Sequence, residues 1–408
     1  RQDIAAQLGL RDPVMHIGDF DRPNLHYSSK PKAKQLEQIN DVMQRHAGES
    51  GIIYCIRRAD VDSLAAELRA QGHNALPYHA GLEDEVRRKN QEAFLRDEAD
   101  IIVSTVAFGM GIDKPDVRYV IHWGMPKSLE HYQQESGRAG RDGMESECCL
   151  FYSGADIITW KHFLKDLDPE AREVQRQKLE AMYSYCKSTS CRHRTLINYF
   201  GQEYPSDNCG ACDVCLNQVE MLEDALPVAQ KILSCVVRVG EMFGVTYVVR
   251  VLCGSQDKRI LANRHEQLST FGLLSAYDRQ TIRGWIEQLT TQAFLELRGE
   301  YLVLSVTAKG RLVLKGAAIP RLTKPLARAP RREKVGTAPR ESWDGVDRSL
   351  FEKLRALRRE IAGERGVPAF VIFDDAALRD MARRKPTTNS AFLQVRGVGE
   401  KKARDFAD

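Results

Sequence analysis

The chain has 408 residues, 43% of them hydrophobic and 28% charged, with a formal net charge of +4. That length ordinarily means about two to four domains, and that apolar content fills several cores, which excludes a chain disordered throughout. No apolar run reaches the roughly 18 residues of a membrane span, no charged-then-apolar leader opens the sequence, and ten cysteines in so long a chain are not a disulfide scaffold; the expected setting is intracellular, and the mild positive balance permits nucleic-acid binding without arguing for it.

Residues 1–27 carry no sheet pattern of their own. From about residue 50 to 155, short β-rich runs (51–55, 75–78, 101–104) alternate with helical stretches (59–70, 83–95), the signature of a doubly wound parallel α/β sheet. The pair Arg57-Arg58 falls where the first run feeds its helix, a place for a phosphate contact or for a solvated helix start. The run Ile101-Ile102-Val103 ends in the hydroxyls of Ser104 and Thr105. It is followed by the glycine-rich turn Phe108-Gly109-Met110-Gly111-Ile112-Asp113-Lys114-Pro115 and a second apolar run at 119–122. Carboxyl ends of buried parallel strands are where open α/β sheets bind ligands, because backbone N–H groups there can face phosphates.

Past a further helical stretch comes Gln134-Glu135-Ser136-Gly137-Arg138-Ala139-Gly140-Arg141-Asp142-Gly143, with two arginines separated only by small residues. A guanidinium is permanently charged and forks onto phosphate oxygens, so this segment fits charge stabilisation during phosphoryl transfer. No Gly-x-x-x-x-Gly-Lys-Ser/Thr loop and no Asp-Glu-x-His strand end occurs in the sequence. Asp374-Asp375 precedes a helical pattern and is expected to cap it rather than hold a metal. Cys55, Cys148, Cys149 and Cys235 lie in apolar runs, where buried thiols are expected.

Cys209-Gly210-Ala211-Cys212-Asp213-Val214-Cys215 needs a fourth ligand to close a tetrahedral zinc site, and Cys191, Cys186 or His193 can supply it. An iron–sulfur cluster and a redox thiol pair are the alternatives, but Leu216-Asn217 follows where a cluster motif would place a fourth cysteine and proline. From about residue 226 to 315 the pattern is three helices (228–243, 246–253, 278–292) and a hairpin (294–297, 301–304), which suggests a winged helix. Ile282, Trp285, Ile286 and Leu289 form its core stripe; Arg279 and Arg283 lie off that stripe, free to touch phosphate or to remain solvated. Tyr301 sits beside the hairpin tip. Residues 317–342 interleave prolines with arginines and lysines and are expected to form an extended basic tether. Residues 343–408 are helical, with Leu350, Leu354, Leu357 and Ile361 expected to line one face. Gly397-Val398-Gly399 precedes Lys401 and Lys402, as in a turn that receives a DNA phosphate.

The blocks at 106–115 and 134–143 resemble motifs V and VI of superfamily-two helicases, and together they resemble those of RecQ DNA helicases. The resemblance makes the strand end at Arg57 motif IV and Phe20-Asp21-Arg22-Pro23-Asn24-Leu25 a connecting strand. It also picks Cys191 as the fourth zinc ligand, through Cys-Arg-x-x-x-Leu-x-Asn-Tyr-Phe-Gly. It implies a tail of a first RecA-like domain (1–27), a second RecA-like domain (28–155), a zinc-binding domain (156–218), a winged helix (219–316), a tether (317–342) and an HRDC domain (343–408), with its closing helix expected to be incomplete. It implies an ATP-dependent 3′-to-5′ DNA helicase of repair and recombination, with Arg141 as arginine finger, Arg138 supporting it, Gln134 coupling nucleotide state to the cleft, and Gly109, Gly111 and Asp113 at the nucleotide.

Ser104, Thr105, Arg57, Arg279, Arg283, Lys401 and Lys402 are then the expected DNA contacts. Zinc is structural, and ATP with Mg²⁺ needs an upstream domain; with Arg1 at the start, the expectation is a helicase cut off after most of its first motor domain. Expected partners are single-stranded and forked or junction DNA and single-stranded-DNA-binding protein, with no membrane; the compartment is the cytoplasm, nucleoid-associated in a bacterium and nuclear in a eukaryote. The competing readings are a non-catalytic zinc-stabilised DNA-binding protein and an RNA helicase on the same motor fold.

Overall fold

The computed structural model describes residues 20–106, 108, 113–206, 208–299, 302–324, 343 and 345–406, with Gly9 and Gly18. Gly109, Gly111, Tyr301, most of the basic tether and most of the sequence before Phe20 lie outside these residues.

Six parallel strands form the first unit: β1 (Leu25–Pro31), β2 (Ser50–Cys55), β3 (Ala75–Tyr78), β4 (Ile101–Ser104), β5 (Val117–Trp123) and β6 (Ser146–Tyr152), in the order β1-β6-β5-β2-β4-β3. They read as near-continuous apolar runs because both sheet faces are covered. On one face pack α1 (Gln35–Arg45) and α2 (Arg58–Ala70), through Ile39, Val42, Leu64 and Leu68. The chain continues through α3 (Asp84–Leu95) and α4 (Leu129–Ser136). The boundary expected between residues 27 and 28 falls inside β1, whose backbone pairs with β6 from Leu25 onward.

The other face of the sheet is closed by α5 (Gly154–Phe163), α6 (Pro169–Lys187), α7 (Arg192–Tyr199) and the cysteine turn. Pro169 begins α6, where its missing N–H costs nothing, and Asp168 caps it by accepting from the Ala171 N–H. Leu179, Met182 and Tyr185 of α6 share one core with Tyr27, Tyr132 and Cys148 of the sheet unit. The cysteine segment is thus seated on the sheet rather than beside it.

A separate core holds α8 (Ala225–Arg238), α9 (Val245–Leu252), α10 (Lys258–Ala262), α11 (Arg279–Thr291), the antiparallel pair β7 (Leu295–Arg298) and β8 (Val303–Val306), and α12 (Ala308–Leu314). Ile282, Trp285, Ile286 and Leu289 are fully buried, as their spacing requires. The helix expected over 228–243 stops at Arg238, because Gly240 takes φ +80° and turns the chain. The short α10 and α12 were not expected; a helix of two turns or less carries too few residues to show a period.

The last unit comprises α13 (Arg348–Arg365), α14 (Ala369–Ile372), α15 (Asp375–Arg384), α16 (Asn389–Phe392) and α17 (Glu400–Phe406). Asp374 caps α15 by accepting from the Ala377 N–H. Of the apolar face expected on α13, Leu350, Leu354 and Ile361 pack against the core, whereas Leu357 is 51% exposed; Phe351, Arg355, Arg358 and Ala362 are buried beside them. Arg355 and Arg358 of this helix reach carboxylates of the sheet unit. No helix among the described residues is long and apolar enough to cross a membrane.

Candidate active site and metal centre

Helix α4 starts at Ser128, whose hydroxyl caps the His131 N–H, and ends at Gly137, where the two-arginine segment begins as a tight loop. Gly140 sits at φ +54°, and a Cβ there would lie 2.5 Å from both Asn24 Nδ2 and the Met144 carbonyl, so only glycine fits. The loop hands its two arginines opposite environments. Arg138 is buried at 6% exposure, whereas the Arg141 side chain is 35% exposed and donates from Nη1 to Asp113 Oδ1 at 2.7 Å. Asp113, expected at the nucleotide, is thus brought to the finger candidate, and its own side chain is 84% exposed. Gln134 is exposed on α4, next to Glu135, whose carboxylate bonds His122 Nε2 at 2.9 Å in the floor of the site.

The DNA candidates disperse. Ser104 is withdrawn as a backbone contact: it is fully buried, and its hydroxyl donates to the Tyr78 carbonyl at 2.7 Å. Thr105 is half-buried at the same strand end. Arg57 sits exposed at the start of α2 and bonds Asp60 at 3.0 Å. Arg279 and Arg283 line a cleft of about 700 Å³ between the α6 segment and α11, together with Lys32, Tyr183, Lys187 and Arg250. Arg283 donates to Thr246 Oγ1 at 2.7 Å within it. Lys401 is exposed, while Lys402 is half-buried over the Phe373 ring, 4.9 Å from its centre; that contact draws it away from the phosphate role expected of it.

Cys191, Cys209, Cys212 and Cys215 place their sulfurs within 4.8 Å of one another. Backbone N–H groups already face all four: Arg194 to Cys191 at 3.5 Å, Ala211 to Cys209 at 3.4 Å, Arg192 to Cys212 at 3.4 Å and Cys209 to Cys215 at 3.4 Å. Such donors stabilise thiolates, and Cys191 adds the N-terminal end of α7. Four thiolates packed this closely repel unless a dication joins them, so the donor set fits tetrahedral zinc. The alternatives for the fourth ligand are otherwise engaged. His193 bonds Asp21 at 2.8 Å and the Leu25 carbonyl at 3.0 Å, and Cys186 is buried with its carbonyl accepting from Ser29. Between the ligands, Asp213 bonds Arg192 at 2.9 Å and the Ser29 N–H at 2.9 Å, which ties the site to β1.

Family models match in the same order: the helicase conserved C-terminal domain over residues 32–143, RecQ zinc-binding over 154–216, the RQC domain over 221–330 and the HRDC domain over 347–408. The ATP-dependent DNA helicase RecQ of Pasteurella multocida is 39% identical over 411 residues, covering 100% of this chain and 64% of that protein. Those of Haemophilus influenzae and Bacillus subtilis are each 38% identical, covering 100% and 98% of this chain and 66% of each relative. The chain belongs to the RecQ family. It spans 64–66% of the length of these relatives. The RecQ zinc-binding match contains all four cysteines, which are its structural zinc ligands and leave no open coordination position.

Within this RecQ chain the HRDC helices dock against the sheet unit through a buried charge network that the sequence did not announce. Arg358 reaches Asp97 at 3.0 Å, Asp116 at 3.6 Å and Asp375 at 2.9 Å. Lys114, part of the glycine-rich block, is fully buried between Asp97 and Asp116. Arg396 donates to the carbonyl of Asp142, the residue after Arg141. Asp97, Asp116 and Arg358 were missed because the residues that pair lie far apart in the chain and share no motif.

Proposed function

We propose that this chain is the distal part of an ATP-dependent, 3′-to-5′ DNA helicase of the RecQ type, serving repair and recombination. The reading is carried by the loop at 137–143, which buries one arginine and leaves the next exposed beside Asp113. In this reading Arg141 is the finger that meets the γ-phosphate and Arg138 supports the loop that aims it. Gln134, exposed on the preceding helix, reports nucleotide state to the cleft, and Asp113 exchanges Arg141 for the nucleotide. Gly109 and Gly111, outside the described residues, belong to the same nucleotide-facing turn. ATP and Mg²⁺ bind where this unit meets a domain that carries the phosphate-cradling loop absent from this sequence.

DNA runs over Thr105, Arg57 and the cleft of Arg279 and Arg283, with Lys401 adding a phosphate contact; these are grips on backbone, as a translocating motor requires. The proposed domain order follows the division expected from the sequence, with the first boundary moved ahead of β1 and residues 317–324 moved from the tether to the winged-helix unit, where Leu322 is fully buried. Forked or junction DNA is the substrate, single-stranded-DNA-binding protein a partner, and the compartment that of the chromosome. The test compares DNA-stimulated ATP hydrolysis and fork binding of this chain with those of a longer protein carrying the upstream domain. Hydrolysis by the longer protein alone, with DNA binding by both, is the expected result. No hydrolysis by either would leave a zinc-stabilised DNA-binding protein.

A further inference from the structure

The segment Phe20-Asp21-Arg22-Pro23-Asn24-Leu25 is held from two sides. Toward the zinc unit, Phe20 stacks on Phe200 with ring centres 4.8 Å apart, its N–H donates to Gln202 at 2.9 Å, and Asp21 bonds His193 at 2.8 Å. Toward the arginine loop, Gln133 donates to the Phe20 carbonyl at 3.1 Å. Arg22 turns both terminal nitrogens of its guanidinium to backbone, while Nε donates to Asn24 Oδ1 at 3.4 Å: Nη1 donates to the Gly137 carbonyl at 3.2 Å, and Nη2 to those of Ala139 and Gly140 at 3.0 and 2.8 Å. Asn24 Nδ2 donates to the Gly140 and Met144 carbonyls, each at 2.8 Å. Gly140 lacks the Cβ that would strike that amide.

These bonds fall on the residues that flank Arg138 and Arg141 and on neither arginine's side chain. A planar fork with fixed N–H directions sets the orientation of the Gly137, Ala139 and Gly140 carbonyls together, which a flexible ammonium cannot do. We propose that Arg22 and Asn24 are positioning residues for the arginine loop, so that the connecting segment, anchored on the zinc unit, sets the aim of Arg141. This rests on the helicase reading above. It assigns to a segment outside every motif of the ATP site the task of holding that site's one exposed arginine in register.

The test uses the longer protein with its upstream domain, with Arg22→Ala, Arg22→Lys and Asn24→Ala variants. Misplacing a catalytic group by about 1 Å costs about 100-fold in rate. Arg22→Ala is therefore expected to lose about that factor in kcat, with KM for ATP and zinc content unchanged, and to regain turnover with added methylguanidinium. Arg22→Lys is expected to fall between, since it restores a charge but not the fork. In parallel, hydrogen exchange on the 408-residue chain should show faster exchange of the amides of Arg138, Ala139, Gly140 and Asp142 in Arg22→Ala, which are bonded in the wild type.

Wild-type kcat in Arg22→Ala, or unchanged exchange in the loop, overturns the assignment. So does a loss that tracks zinc content and global melting and is not restored by methylguanidinium, since that marks general unfolding. A wild-type longer protein that does not hydrolyse ATP removes the helicase reading itself and this proposal with it. That outcome is distinguishable, because it appears before any variant is made.

Discussion

At the scale of the residue, the structure sorts side chains of one chemical type into different tasks by where the backbone puts them. Three arginines of the sheet unit illustrate it: Arg141 is exposed beside Asp113, Arg138 is buried, and Arg118 of β5 is buried against Asp142 at 2.5 Å. His46 shows the same logic for a titrating group. It closes α1 against β6, with its ring nitrogens 2.8 Å from Glu49 and 3.1 Å from Glu147, and Arg45 and Arg379 face the same two acids. Burial opposes its charge, but the hydrogen bonds from Glu147 and Glu49 outweigh burial and raise its pKa above the ordinary 6.5. A folded pKa above the unfolded one means stability that is full below 6.5 and is lost as pH rises through the folded value. Denaturant midpoints should therefore fall from pH 6.5 upward, and His46→Gln should flatten that slope. An unchanged slope in the variant would show that another group titrates.

At the scale of the element, the zinc site and β1 are one construction. The cysteine turn adds a bridge at Cys212 to Tyr27, the Asp213 N–H donates to the Tyr27 carbonyl at 2.9 Å, and α6 and α7 fill the sheet's second face. Removing one ligand should release zinc and open that face, since structural zinc sites supply folding energy directly. Cys209→Ser is expected to lose bound metal and to bind a hydrophobic dye, whereas Cys186→Ser, buried but not a ligand, should keep the metal; metal analysis by atomic absorption decides. The sheet, the zinc knuckle and the α11 core were legible in the sequence because each writes its signal locally: β-rich runs at 51–55 and 101–104, Cys-x-x-Cys-x-x-Cys, and a helical stripe through Trp285. Ser104 misled for the same reason. A hydroxyl at a strand end looks like a ligand group until the neighbouring strand's Tyr78 carbonyl takes it.

At the scale of the whole molecule, what the sequence withheld is how units meet. The stripe expected on α13 left out Arg355 and Arg358, which are buried beside it because their carboxylate partners belong to another domain. Arg22 was silent for a similar reason, since its partners are carbonyls more than a hundred residues away. The Lys114–Asp97–Arg358–Asp116 network is buried, so removing one partner strands a charge, at a cost of about 3–5 kcal/mol. Arg358→Ala should lower stability by about that amount and open the HRDC helices to proteolysis, and HRDC helices that resist proteolysis as in the wild type would refute the docked arrangement.

In the proposed function Arg141 is a finger whose charge acts on a nucleotide held between this chain and an upstream domain. The decisive measurement is steady-state ATP turnover on forked DNA by the longer protein, wild type against Arg141→Ala, with zinc content and melting monitored alongside. The account predicts a loss of about 10³ to 10⁵ in kcat with folding intact. Turnover equal to the wild type would contradict it.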